Sequence, residues 1–425
     1  MKITKTWLDE SFKNRNVDRN LQKKFLKMHM HDVMENDINF DNNFSIDLKT
    51  SKVSNQDKSN YCWIHSPYYL FKEILKKKLN TTQDINISFS HLVFYDKLER
   101  MNYNINQLVK YKKKKTWGSK VQNALNIIDH GHNNYFLSLV DKYGLVLSDD
   151  KEAYSSFNTS MINYVLHLTL VKFDIKMRQL NTNEEIELLV KDTMKQVCDF
   201  LILVLGKPKK QFSYKYRDIN GKECYLKNVK PVSFYRQYLK DEFDDFIRVS
   251  SFSELEYNKL YYSSKSNVRY PLKYKDNYII NVDMIDFKKI IINELEKGNM
   301  VLSSCVMING NNTTGVYADN LFDYSILNLD TKVSKDYTFR YNYARKPSHA
   351  LCISGVDFDK NNNIVKWKFK NSYGEKLGDI PGYAISSDEW FENHCFEISV
   401  SKRNLDKKIV EILKQKAQNS DKVFN

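Results

Sequence analysis

In the stretch NQDKSNYCWIHSPYYL, Asn55 to Leu70, one cysteine, Cys62, stands between a polar loop and a segment rich in aromatic and aliphatic residues. A cysteine reacts as its thiolate. It therefore needs a base within hydrogen-bond reach, and the base needs a group on its other ring nitrogen to orient it. His349 and Asn371 could fill those two places if the segments that carry them pair. A helix starting near Cys62 would favour the thiolate and leave a backbone N–H free for an oxyanion. Gln56, in the polar loop upstream, could bring a side-chain amide to the same oxyanion. Each residue also has a plainer reading. A cysteine ahead of an amphipathic helix is commonly core filling, and a histidine opening a strand is commonly a satisfied structural group.

The positioning elements follow from periodicity. After Cys62, the residues Leu70, Phe71, Ile74, Leu75 and Leu79 fall on one helical stripe with lysines opposite, so a helix begins near the cysteine. HALCISGVDF (His349 to Phe358) and IVKWKFKN (Ile364 to Asn371) are separated by the turn formers DKNNN and read as an antiparallel hairpin. A turn centred near Lys360 pairs positions that sum to 720, which places His349 opposite Asn371 at the open end. Helical patterns are expected from Asn16 to Met34, over VQNALNIID, over YFLSLVDKYG ending at Gly144, and along MINYVLHLTLVKFDIKMRQL. QFSYKYRDINGKECYLK alternates around Asn220-Gly221 and predicts a second hairpin. FKKIIINELEKGN predicts a helix ending at Gly298, followed by a buried strand in MVLSSCVMI, and the C-terminal third reads as mostly β.

Composition sets the bounds. The 425 residues are 42% hydrophobic and 13% aromatic with only 6 Pro and 12 Gly, which describes a globular chain with a sizeable core. The 6 cysteines lie far apart without a CxxC pair, so neither a disulfide framework nor a zinc ribbon is expected. The N-terminal stretch lacks an apolar h-region and no run suits a membrane span, so a cytoplasmic location without membrane attachment is expected. The net charge of +14 and the run KYKKKKTW (Lys110 to Trp117) leave a nucleic-acid partner open, against a solvated lysine-rich face. His29-Met30-His31 and His130-Gly131-His132 show alternate spacing without a third ligand, so no metal site is expected. Phosphate-binding glycine loops are absent.

SNQDKSNYCW resembles the nucleophile motif of the papain-like cysteine peptidases, specifically the bleomycin hydrolase or aminopeptidase C family, and SHALCISGV is similar to its histidine motif. KNSYGEKLGDIPGYAISSDEWF resembles the family's Asn-Ser block. VFYDKLER, LVDKYGLV, and LGKPKKQFSYKYRD followed by PVSFYRQYL extend the likeness over nearly the whole chain. The resemblance implies an α+β papain-like fold, with a helical lobe, a β-barrel-like lobe and a large helical insertion. It divides one elaborated domain into a nucleophile segment (1–118), a helical insertion (119–265) and a β lobe with a C-terminal helix (266–425). It also implies Cys62 as nucleophile, His349 as general acid/base, Asn371 as orienter and Gln56 as oxyanion donor. Peptides are the implied substrates, and a cytoplasmic homohexamer without metal or cofactor is the implied form.

The chain departs from the pattern in places. His130-Gly131-His132-Asn133 stand where the family's cleft segment reads Gly-Gly-Gln-Trp, and Tyr373 stands for the Trp that covers the His–Asn pair. Asn60-Tyr61 replaces Gly-Arg, and Pro67 lies one turn into the nucleophile helix. The ending LKQKAQNSDKVFN lacks the apolar tail that presents a terminal carboxylate in the family. An aminopeptidase is the expectation. Endopeptidase action, relaxed specificity, or a lapsed member kept as a basic binding protein are the alternatives.

Overall fold

The computed structural model describes residues 2–13, 18–57, 59–115, 118–148, 159–262, 278–327, 329 and 349–420. The expected boundary at 265/266 and the residues 421–425 of the C-terminal stretch lie outside them. Among the described residues no helix is long and apolar enough to cross a membrane.

The chain opens with three short helices, α1 (Lys5–Phe12), α2 (Arg19–Lys27) and α3 (Met30–Met34), and a short strand β1 (Ile46–Asp47). The single helix expected up to Met34 is broken because Met28 is extended (φ −123°, ψ 160°). The helical lobe follows as α4 (Cys62–Lys78), α5 (Phe89–Lys113), α6 (Ser119–Leu125), α7 (Asn133–Tyr143), α8 (Thr159–Gln179) and α9 (Asn183–Leu205). α7 stops at Gly144, which takes φ +72° and donates its N–H to Val140 O. α9 starts with a full capping box between Thr182 and Glu185. The hairpin β2 (Phe212–Arg217) and β3 (Glu223–Val229) turns at Gly221 with φ +78°, and α10 (Pro231–Tyr238) and α11 (Lys240–Asp244) lead into the second lobe.

That lobe is built on one large mixed sheet. Its strands are β4 (Phe246–Ser250), β5 (Lys259–Tyr262), β6 (Tyr278–Asn281), β7 (Val301–Cys305), β8 (Gly310–Asn311), β9 (Val316–Tyr317), β10 (His349–Phe358), β11 (Ile364–Lys370), β12 (Tyr383–Ser387) and β13 (Cys395–Ser401). The spatial order is β5-β6-β4-β13-β7-β10-β11-β12-β9-β8, with the short strand Gln418–Asn419 on the outer edge of β5 and β1 also on β10. Helix α12 (Met284–Glu296) and the helix Asp388–His394 cover one face. Alternation divides the side chains. Leu351, Ile353, Ile398 and Val400 enter the core under α12, whereas Leu302 and Cys352 join the helical lobe's core. α4 lies on that second face, where Ser66 Oγ donates to Ala350 O at 2.7 Å.

The β10–β11 register corrects the sequence expectation. Cys352 pairs with Lys370, two residues beyond the predicted partner Lys368, and His349 pairs with Cys305 of β7. The cause is the turn. Asp359 accepts the N–H groups of Asn361 and Asn363 at 2.8 Å each, and Asn362 takes φ +62°, which centres the turn on Asn361 instead of Lys360. Two bulges, between Ile353 and Gly355 and between Asp357 and Phe358, cancel along the ladder, so the slip at its open end is two residues, which preserves the faces, and His349 and Asn371 still meet diagonally.

Candidate active site

Cys62 is the first residue of α4, capped by the non-helical Tyr61. Its sulfur receives the backbone N–H of Trp63 and of Ala350, and His349 lies beside it. His349 Nε2 donates to Asn371 Oδ1 at 2.9 Å. With that nitrogen committed, Nδ1 is the one left to face the thiol. Burial opposes ionisation of Cys62, but the charge and hydrogen bond of His349 with the two backbone N–H groups outweigh it, and the thiol titrates below its ordinary value. Burial likewise pushes His349 down, yet Cys62 and Asn371 raise it on balance. Both directions favour the thiolate–imidazolium form over the neutral pair, the form in which a cysteine is reactive.

Asn371 is fixed on every side. Its N–H donates to Gly382 O at 3.0 Å, its carbonyl accepts from Tyr69 Oη at 2.9 Å, and its Oδ1 also accepts the Ser372 N–H at 2.8 Å. Tyr373 stacks over His349 with ring centroids 5.1 Å apart and planes 24° from parallel, the aromatic cover expected from sequence. Burial, with Cys62 nearby, lifts its phenol to about 12.

Gln56 is buried in the loop before α4. Its Oε1 accepts from Ser372 Oγ at 2.6 Å, its backbone N–H donates to Ser372 O at 2.7 Å, and its Nε2 donates one hydrogen to Ser59 O at 2.8 Å. The second Nε2 hydrogen has no partner among the described residues. The loop, the helix start and the β11 end are thus tied together around Cys62.

The cleft segment divides. Gly131 lies against the indole of Trp63, where a Cβ would come within 2.2 Å, so packing against the residue that follows Cys62 explains this glycine. His130 offers its carbonyl to Arg100 Nη2 at 2.8 Å. His132 caps α7, accepting the Asn134 N–H on Nδ1 at 3.2 Å, and donates from Nε2 to Glu397 Oε1 at 2.8 Å. Asn133 is buried in the first turn of α7 and borders an interlobe cavity of about 480 Å³, away from the triad. His31 stacks on Phe322 at 4.9 Å, and no cluster suited to a metal occurs among the described residues.

Sequence reasoning missed the support behind Cys62. Tyr61 Oη donates to Asp96 Oδ2 at 2.8 Å, and Asp96 Oδ1 accepts from Arg100 Nε at 2.7 Å, all three buried. Trp63 Nε1 donates to Asp129 O at 2.7 Å, while the Asp129 carboxylate is paired with the fully buried Lys97. Asp96 and Arg100, four apart in VFYDKLER and flanked by apolar residues, were the legible signal. Glu397 gave none.

A two-lobed fold with a cysteine at a helix start and a His–Asn pair on the facing sheet defines a papain-like cysteine peptidase. The sequence model of the Peptidase C1-like family matches residues 3–422, and the chain belongs to that family. It is 28% identical over 377 residues to Aminopeptidase C of Streptococcus thermophilus, covering 84% of this chain and 82% of the relative. It is also 28% identical over 383 residues to Aminopeptidase G of Lactobacillus delbrueckii subsp. lactis, covering 87% and 85%. The crystal structure of PepW from Lactobacillus rhamnosis superposes with a TM-score of 0.83 at 24% identity, covering 97% of this chain and 95% of that one, which establishes the fold. The resemblance read from the sequence motifs is borne out.

Proposed function

We propose that this chain is a cysteine aminopeptidase acting on peptides. The observation that carries the reading is His349 held between Cys62 and Asn371, with the thiol lowered and the imidazole raised. The Cys62 thiolate attacks the carbonyl carbon of the first peptide bond. The resulting oxyanion lies toward the Cys62 N–H and the second Nε2 hydrogen of Gln56. His349 gives its Nδ1 proton to the leaving nitrogen, the C–N bond breaks, and a thioester remains. Water, deprotonated by His349, then attacks the thioester, releasing the amino acid and the thiol. Asn371 keeps the ring in the required plane throughout. Removal of residues from the amino end is supported by the names of relatives such as Aminopeptidase C of Streptococcus thermophilus and Aminopeptidase G of Lactobacillus delbrueckii subsp. lactis.

The test uses amino-acid arylamides and a thiol-alkylating reagent on the full chain. Cys62 is expected to be labelled first among the six cysteines, and Cys62→Ala to abolish hydrolysis. Full activity in that variant refutes the reading.

A further inference from the structure

We propose that Glu397, His132 and Arg248 form a post across the cleft that ends its acyl side after one residue, and so restrict the enzyme to removing single residues. This rests on Cys62 being the nucleophile.

The floor of the cleft is a row of three ladder partners. Glu397 pairs with Ser304, and Ser304 with Ala350. All three are out of phase with Leu351 and Ile398, which fill the opposite core, so they stand on the face toward the helical lobe. The row starts at the nucleophile, because the Ala350 N–H reaches the Cys62 sulfur. It ends at Glu397, two strand spacings or about 10 Å away. The roof is the segment before α7: Gly131 sits on Trp63, next to Cys62, and His132 follows.

Floor and roof are joined at one place. His132 Nε2 donates to Glu397 Oε1 at 2.8 Å, and Arg248 Nη2 holds Glu397 Oε2. Glu397 is 3% exposed and Arg248 8%. Burial disfavours the Glu397 carboxylate, but Arg248 first and His132 second hold it well below the usual range, so it is ionised and the post is closed at neutral pH. This charged pair does not take part in the chemistry of the triad.

The direction of the substrate follows from the tetrahedral carbon bonded to Cys62. Its oxygen faces Gln56 and the Cys62 N–H, and its leaving nitrogen faces His349. The acyl chain takes the remaining direction, along the row toward Glu397. One extended residue spans about 3.5 Å. Two residues would span about 7 Å and leave about 3 Å before Glu397, less than the ~3.5–4 Å separation of non-bonded heavy atoms, so one residue and its amine fit and a second does not. Beside the post, two residues along the strands, lies the 480 Å³ interlobe cavity, bordered by the neighbouring row, Arg248, Ser399 and Leu302, and by Asn133. Shortening the post therefore opens space that already exists.

The experiment compares the full chain with His132→Ser, which removes the ring but keeps an oxygen able to cap α7, and with His132→Gln, which keeps a donor for Glu397. Each is given an octapeptide with a free or an acetylated amino end, and products are identified by mass spectrometry. The unaltered chain is expected to release single residues from the free peptide only. His132→Ser is expected to release dipeptides and cut the acetylated peptide at least tenfold faster than the unaltered chain, and His132→Gln to restore the single-residue pattern. An unchanged product pattern in His132→Ser, with Cys62 still alkylated, overturns the post while leaving the nucleophile intact. Loss of Cys62 dependence would instead overturn the catalytic reading. Should His132→Ser not fold, the unaltered chain decides: an aminoacyl chloromethyl ketone should label Cys62 at least tenfold faster than an N-acetyl-dipeptidyl one, and equal rates refute the proposal.

Discussion

In the proposed mechanism, Asn371→Ala isolates the orientation of the base from the fold around it. The backbone at this position is held independently of the side chain, by Gly382 O and by Tyr69 Oη, so truncation leaves the strand end in place. What is lost is the 2.9 Å acceptor for His349 Nε2, beneath the Tyr373 ring and shielded from replacement water. A hydrogen bond to an ionised partner contributes about 1.5–3 kcal/mol. At roughly 1.4 kcal/mol per tenfold in rate, kcat/KM should fall by about 10- to 150-fold. The pH profile should narrow from both sides. Asn371 helps raise His349, so without it the imidazolium is lost at lower pH and the basic limb moves down. The weakened imidazolium supports the thiolate less, so the acid limb set by Cys62 moves up. Rates of Cys62 alkylation and of arylamide hydrolysis between pH 4 and pH 10 measure both limbs. A loss below threefold with unmoved limbs would refute the orienting role.

Gln56→Ala should lower kcat by about 10²- to 10³-fold through loss of an oxyanion donor, with KM little changed, and steady-state kinetics check the split. Gly131→Ala places a methyl within 2.2 Å of the Trp63 indole and should destabilise the chain by about 1–3 kcal/mol, read as a lowered thermal midpoint. Acid should also destabilise. Burial lowers His65 to about 3 and His91 to about 4, so the folded chain excludes protons that the unfolded chain binds. Their full contribution is present above about pH 6.5 and is lost as pH falls toward the folded values, on the order of 2 kcal/mol per histidine between pH 6.5 and 5. Urea midpoints at pH 7 and pH 5 measure the loss, and His91→Gln should remove about half of the slope these two residues set.

The candidate catalytic residues are legible in the chain. Local rules suffice to start a helix at Cys62, to end α7 at Gly144, and to turn a hairpin at Gly221, because apolar spacing and left-handed glycines act over a few residues. Motifs of similar reach mark Gln56, His349, Asn371 and the Tyr373 cover. Register was less legible. The turn of the β10–β11 hairpin depends on whether Asp359 caps Asn361 and Asn363, a choice between adjacent turn formers that composition leaves even.

Tertiary structure alone decided what stands behind and beside the triad. The buried network Tyr61–Asp96–Arg100 and the buried pair Lys97–Asp129 stand behind Cys62 because α5 carries Asp96, Lys97 and Arg100 to that place. Glu397 reads as one acidic residue in an alternating strand. It becomes the end of the cleft only because β13 lies two strands from His349 and α7 brings His132 above it, 265 residues earlier in sequence. Periodicity reports which face a side chain takes. Which partner waits on that face is set by how the two lobes close on each other, and a buried charge is stable only where that closure supplies the partner.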